Sequence, residues 1–204
     1  YYLGKKGIRR PIKTVWTREE SIIGHHKRHP YFIKAKWGAK IDGTVTAVET
    51  EIVADAGAYA YTSSKVLGNA TLMCTGPYNI ENVKVDAASV YTNSIPTGAF
   101  RGFGGPQAIY AAESQMNKIA EKLVMDPIEI RMKNILREGD LLSVGTPLPK
   151  GVSLESVLRK CAEEGGWIKT DAGWQAPNEF SNRSGNSGWG IACSFKNVGF
   201  SYGA

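Results

Sequence analysis

The stretch Gly98 to Gln107, GAFRGFGGPQ, constrains this chain more than any other. Its ten residues hold four glycines, one arginine, two phenylalanines and a proline. Glycine loses more backbone freedom on folding than any other residue, so this density implies positive φ angles or a close backbone approach to a ligand. A β-rich run from Val83 to Tyr91 precedes the loop. Behind it Ile109, Ala112, Met116, Ile119 and Leu123 recur at helical spacing, with Glu113, Gln115, Lys118 and Glu121 on other faces. Pro106 suits the first helical turn, where a missing N–H costs nothing. A glycine loop between strand and helix offers backbone N–H groups to an anion.

The two common nucleotide signatures are excluded. A Walker loop needs Gly-Lys followed by Ser or Thr, and no lysine lies between Lys84 and Lys118. A dinucleotide fingerprint built on Gly102 and Gly104 needs glycine or alanine where Gln107 stands. Arg101 offers a planar fork for phosphate or carboxylate, and Phe103 can turn its face to a flat ligand. Phe100 is expected to point into the core.

Elsewhere the pattern predicts a short buried strand in RPIKTVWT, at Ile12, Val15 and Trp16, with Glu19 and Glu20 facing opposite ways on extended chain. Phe32–Gly38 and Val45–Val53 read as a long hairpin turning at Asp42-Gly43. A helix is predicted over Ser63–Met73, another capped by Asp126 with Glu129 closing a capping box, and a third capped by Ser153 and stopped by Gly165-Gly166. Residues 170–188, rich in Asn, Ser and Gly, read as an exposed connector, and Trp189–Phe195 as a further strand. Strands followed by helices predict an α+β fold, with mixed or antiparallel hairpins and packed helices.

Composition narrows the class. With 42% hydrophobic and 22% charged residues the chain reads as globular, and no run approaches the roughly 18 apolar residues of a membrane span. A cytoplasmic location without membrane contact is the resulting expectation. Cys74, Cys161 and Cys193 are widely spaced and odd in number, so buried free thiols are expected rather than a disulfide or cluster framework. His25, His26 and His29 lack the glutamate of the zincin pattern and are expected to pack at a turn or strand edge, so no protein-held metal is expected. Residues 1–40 hold eleven Lys and Arg against Glu19 and Glu20, or +9, which leaves −3 for the rest of a total of +6. That basic end permits an alternative of another class, an anion- or nucleic-acid-binding module. No recognition motif supports a nucleic-acid partner. The termini, without Met at one end and within an apolar stretch at the other, suggest a fragment.

AFRGFGGPQ, followed by a helix and then DPIEIRMKNILREGD, closely resembles the molybdopterin-binding large subunit of the xanthine dehydrogenase family of molybdenum hydroxylases. RPIKTVWTREESIIGHHKRHPYFIKAKWG, DAGAYA and KNVGFSYGA fall in the family's order. The resemblance implies a molybdenum–molybdopterin cofactor, iron–sulfur clusters and FAD on partner domains or subunits, and an oligomeric intact enzyme. It implies hydroxylation of an N-heteroaromatic, purine-like small molecule with water as oxygen source, with aldehyde or carbon monoxide as alternatives. The carbon monoxide branch carries a cysteine in this loop, against which Gly102 and Phe103 argue. Residues 1–170 would form a first molybdopterin-binding region, 171–188 the connector and 189–204 the start of a second. Gly98, Ala99, Phe100, Arg101 and Gly102 would lie against the cofactor. Phe103 and Tyr202 would clamp a planar substrate. Asn69 stands where purine-oxidising relatives place an arginine, and Gly203 replaces a hydroxyl residue, which departs from the purine pocket. No residue matches the family's catalytic carboxylate, which is expected beyond Ala204; the fragment alone is expected to be inactive.

Overall fold

In a computed structural model, the described residues are 2–7, 10–177 and 189–196. The elements run α1 (Tyr2–Lys5), α2 (Arg18–Gly24), β1 (Tyr31–Ala39), β2 (Val45–Gly57), α3 (Ser63–Met73), β3 (Asn82–Tyr91), α4 (Gly105–Leu123), α5 (Pro127–Asn134), α6 (Leu154–Glu164), β4 (Ile168–Thr170) and β5 (Gly173–Gln175). The fold is α+β, as the residue pattern implied.

β1 and β2 pair antiparallel, Phe32 opposite Val53 and Trp37 opposite Val48. Gly43 turns the hairpin at φ +86°, and Asp42 Oδ1 accepts from the Thr44 N–H at 3.0 Å. Along β2 the side chains alternate: Val48, Thr50, Ile52 and Ala54 are buried, whereas Glu49 and Glu51 face solvent. Those glutamates pair with Lys84 and Lys34 on the flanking strands. β3 joins β2 in parallel, Ile52 opposite Ala87, making a mixed sheet in the order β1-β2-β3. Parallel neighbours need a crossover, and α3 supplies it.

α4 packs on β1, α3 and α5. Its buried stripe is Ala108, Ala112, Met116 and Ala120, four residues apart and mostly small, which lets the helix lie close. One core joins β2, α4, α5 and α6 through Val48, Met116, Ile128, Ile130 and Leu158. A second, around Ile52, Leu67, Ala70 and Ala108, lies between β2, α3 and α4. A fully buried Ile such as Ile130 contributes about 1.5–3 kcal/mol by leaving water.

Several expectations are corrected. Residues 11–16 form no strand, and Ile12, Val15 and Trp16 are exposed; loose alternation there has no sheet edge to join. Glu19 and Glu20 lie in the first turn of α2, where Glu20 and Thr17 complete a capping box, because the cap overrides extended chain. Asp126 does cap α5, through the Ile128 N–H, but the Glu129 carboxylate accepts from the Trp174 N–H instead of closing a box. Ser153 precedes α6 without a side-chain cap bond. The start of the expected connector holds the β4–β5 hairpin and buries Trp174. Trp189–Phe195 is not a strand, though Cys193 is buried. Cys161 is exposed, while Cys74 and Cys193 are buried thiols as expected.

Candidate functional site

The glycine loop enters from a bridge between Lys27 and Thr97 and leaves directly into α4. Its carbonyls are bonded inward one after another. His26 Nε2 lies 2.6 Å from the Ala99 carbonyl, and Arg28 Nη2 donates to the Arg101 carbonyl at 2.6 Å. The Phe103 N–H donates to Phe100 O at 2.7 Å, and the Gly105 N–H to Gly102 O at 3.0 Å. Asn69, buried on α3, donates through Nδ2 to the Phe103 carbonyl at 2.6 Å. At the loop's start the Gly98 N–H donates to Lys27 O, and the Ala99 N–H to Thr62 Oγ1 at 2.8 Å. Thr62 precedes α3 but does not cap it, its hydroxyl serving the loop instead.

The N–H groups of Phe100, Arg101 and Gly102 donate to no acceptor among the described residues. The loop thus consumes its acceptors internally and keeps a run of donors, an arrangement that favours an anion. The Arg101 side chain is exposed, and the Arg28 guanidinium lies 4.9 Å from the centre of the Phe100 ring. That stack explains why Phe100 is half exposed rather than buried in the core as expected: it is a platform for Arg28.

Gly102, Phe103 and Gly104 are three consecutive residues at positive φ, +87°, +51° and +87°. For a phenylalanine this costs about 1–2 kcal/mol, and such strain concentrates at functional positions. A side chain at Gly104 would run into the Val66 carbonyl of α3, and one at Gly98 into the Tyr61 ring. The close approaches that the glycines permit are therefore made to the protein's own α3 and Tyr61. Phe103 is half-buried at the turn into α4.

Beside the loop, His29 is buried with Nε2 2.7 Å from Ser63 Oγ. Burial pushes its imidazole below the ordinary value, the Asp55 charge opposing and His26 adding to the effect. Asp55 is itself held below the usual carboxylate range by the Thr92 hydroxyl and the Gly57 N–H. The three histidines thus serve the loop and its supports, and among the described residues no three His, Cys, Asp or Glu converge as metal ligands.

Of the residues singled out from the sequence, Gly98, Ala99, Phe100, Arg101 and Gly102 form one continuous segment, and Asn69 meets Phe103 directly. Tyr202 and Gly203 lie outside the described residues. Not foreseen were His26, Arg28 and Thr62, which hold the loop from 37 to 73 residues away. His26 and Arg28 belong to the basic end that suggested an anion- or nucleic-acid-binding module, and no motif marked Thr62. Also unforeseen was Glu113, expected on an open helix face. It is buried, accepting from Arg131 Nε and Nη2 at 2.9 and 2.8 Å, from the Tyr78 hydroxyl and from the Cys193 N–H. Burial drives the Tyr78 hydroxyl far above its ordinary value. Burial alone would lower the Arg131 guanidinium, but Tyr78 and Glu113 raise it on balance.

The donor set suits the expected cofactor. A pterin carrying a phosphate needs N–H donors and a cation, and residues 100–102 with Arg101 provide both. The comparisons with known proteins agree. The molybdopterin cofactor-binding domain matches residues 2–135. The nicotinate dehydrogenase large molybdopterin subunit of Eubacterium barkeri is 46% identical over 156 residues, covering 76% of this chain and 37% of that protein. A probable xanthine dehydrogenase subunit from Bacillus subtilis is 35% identical over 173 residues, covering 80% of this chain and 23% of that protein. The aldehyde oxidoreductase structure from Desulfovibrio gigas superposes with a TM-score of 0.68 at 34% identity, covering 74% of this chain and 16% of that one. The chain thus spans well under half the length of each of these relatives. On the loop's donors and these matches, the chain belongs to the xanthine dehydrogenase-like molybdenum hydroxylase family, with residues 2–135 in its molybdopterin cofactor-binding domain.

Proposed function

We propose that the chain contributes the cofactor loop and the substrate-stacking face of an oxidoreductase that hydroxylates an N-heteroaromatic ring with water as oxygen source. The observation that carries this reading is the run of N–H donors at Phe100, Arg101 and Gly102 ending on the strained, half-buried Phe103. Those donors and the Arg101 fork would hold the cofactor's anionic groups, and His26, Arg28 and Asn69 would hold the loop in shape. Bound there, the molybdenum cofactor supplies the two-electron oxidation of a ring carbon. Phe103 would orient the ring by stacking, and Tyr202 would close the clamp from the other side. Stacking contributes about 0.5–1.5 kcal/mol beyond burial, enough to orient rather than to catalyse. The proton-accepting carboxylate would come from chain beyond Ala204, and electrons would leave through iron–sulfur clusters and FAD on partner domains or subunits.

The likeness to the nicotinate dehydrogenase subunit favours an N-heteroaromatic over an aldehyde. An aldehyde is the second reading, supported by the superposition on the aldehyde oxidoreductase. A purine ring is the less favoured heteroaromatic, because Asn69 spends its amide donor on Phe103 and carries no charge. Among the described residues no helix is long and apolar enough to cross a membrane. We further propose a cytoplasmic, oligomeric intact enzyme, with residues 189–204 opening a second cofactor-binding region.

The test is steady-state kinetics of the molybdenum-loaded intact enzyme on a panel of pyridines, purines and aldehydes in heavy-oxygen water. Phe103→Ala is expected to raise KM for the oxidised ring about tenfold while molybdenum content stays unchanged. Label absent from the product, or turnover of aldehydes alone, overturns the N-heteroaromatic reading. Unchanged kinetics remove Phe103 from the substrate role.

A further inference from the structure

Asn69 links two distant parts of the chain. Its donor end is consumed by the Phe103 carbonyl at 2.6 Å and by Met73 Sδ at 3.3 Å. Its acceptor end, Oδ1, therefore faces the segment 189–196, where the Lys196 ammonium reaches it at 3.5 Å. The amide orientation follows from the loop carbonyl, which accepts only a donor.

That segment is held rather than loosely laid. Three residues before Lys196, the Cys193 N–H donates at 2.9 Å to Glu113, whose carboxylate is gripped by the fully buried Arg131. Cys193 and Ile191 pack into the main core. Lys196 is thus delivered to Asn69 from an anchored backbone. The lysine itself is exposed, and the desolvation it does meet holds its ammonium below the ordinary value.

The residue that carries the flat aromatic ring and a lysine ammonium are therefore tied to opposite ends of one buried amide. We propose that Lys196 is a specificity-determining residue which selects planar heteroaromatic substrates bearing an anionic substituent, a carboxylate or ring oxyanion, with Phe103 taking the ring. The inference rests on the function proposed above and narrows its substrate class. Asn69 acts as the spacer that keeps Lys196 in register with Phe103. An uncharged side chain at position 69 thereby has a cation beside it, brought from 127 residues along the chain.

The experiment compares pyridine-3-carboxylate with its neutral carboxamide, in the molybdenum-loaded intact enzyme and its Lys196→Met and Lys196→Arg variants. A charge-assisted hydrogen bond supports roughly a tenfold preference. Lys196→Met is expected to lower the ratio of kcat/KM for the acid over the amide about tenfold, through KM rather than kcat, and Lys196→Arg to restore most of it. A ratio unchanged in Lys196→Met overturns the proposal. Wild-type enzyme that oxidises neither compound would count against the proposed reaction instead. Charge selection is then judged by equilibrium dialysis of the same two compounds. Equal retention of the acid by wild type and Lys196→Met overturns it, and loss of the acid alone supports it.

Discussion

Gly104 is the residue on which the loop's shape turns. It holds φ +87°, and any side chain there would meet the Val66 carbonyl of the helix beneath. Gly104→Ala is expected to cost about 2–4 kcal/mol, the left-handed penalty plus the displacement of α3. Gly139, at φ +84° with open space around it, is the control. Gly139→Ala should cost only about 1–2 kcal/mol, so urea denaturation of the two variants separates strain from collision. His29 supplies the second prediction at this scale. Its native value lies below that of the unfolded chain, so at mildly acid pH the unfolded state binds more protons. Stability should therefore fall as pH drops below about 6.5, by at most about 1.4 kcal/mol per pH unit. In His29→Gln that component should vanish when urea midpoints at pH 7 and pH 5 are compared. An undiminished fall would assign the acid sensitivity elsewhere.

At the scale of elements, the carboxylate of Glu113 ties α4 to α5, to the segment before β3 and to the segment at Cys193. Removing one partner of a buried pair leaves an uncompensated charge, so Arg131→Met should cost about 3–5 kcal/mol. Adding Glu113→Gln removes that charge and leaves its carbonyl to accept from the Cys193 N–H, with its amide N–H turned to the Tyr78 oxygen. The double variant should be at least about 1.5 kcal/mol more stable than the sum of the single changes, as a double-mutant cycle would show. Additive losses would mean that the pair is not coupled. Why this clasp escaped sequence reading is physical. A glutamate among apolar residues on a helix looks solvated unless its partner is known, and Arg131 lies 18 residues further on, on another helix. The elements themselves were far more legible. The boundaries of α3 and the Asp42-Gly43 turn follow from local propensity and turn chemistry, and the structure has them in place. The strands expected at residues 11–16 and 189–195 failed because short apolar runs become strands only where an edge is free to pair.

For the whole molecule, the two cores leave the three thiols in unequal surroundings. Burial pushes Cys74 up to about 12, and burial followed by the Glu113 charge pushes Cys193 up to about 11. Cys161 is exposed. A thiol reagent at pH 8 should therefore label one cysteine rapidly and all three only after denaturation. Rapid labelling of two or more would contradict the packing around Cys193. The same packing separates what sequence and tertiary structure each decide. The α+β class, the helix caps at Asp126 and Thr17, the hairpin and the glycine loop's strained turn are written in local residue order, because turn and cap energies act over a few positions. So is the family resemblance, whose motif is contiguous. The parallel pairing of β3, the inward bonding of the loop carbonyls by His26, Arg28 and Asn69, and the meeting of Lys196 with Asn69 are decided only by the fold. Each joins groups dozens of residues apart, and burial in a shared core, not proximity along the chain, brings them within hydrogen-bonding range.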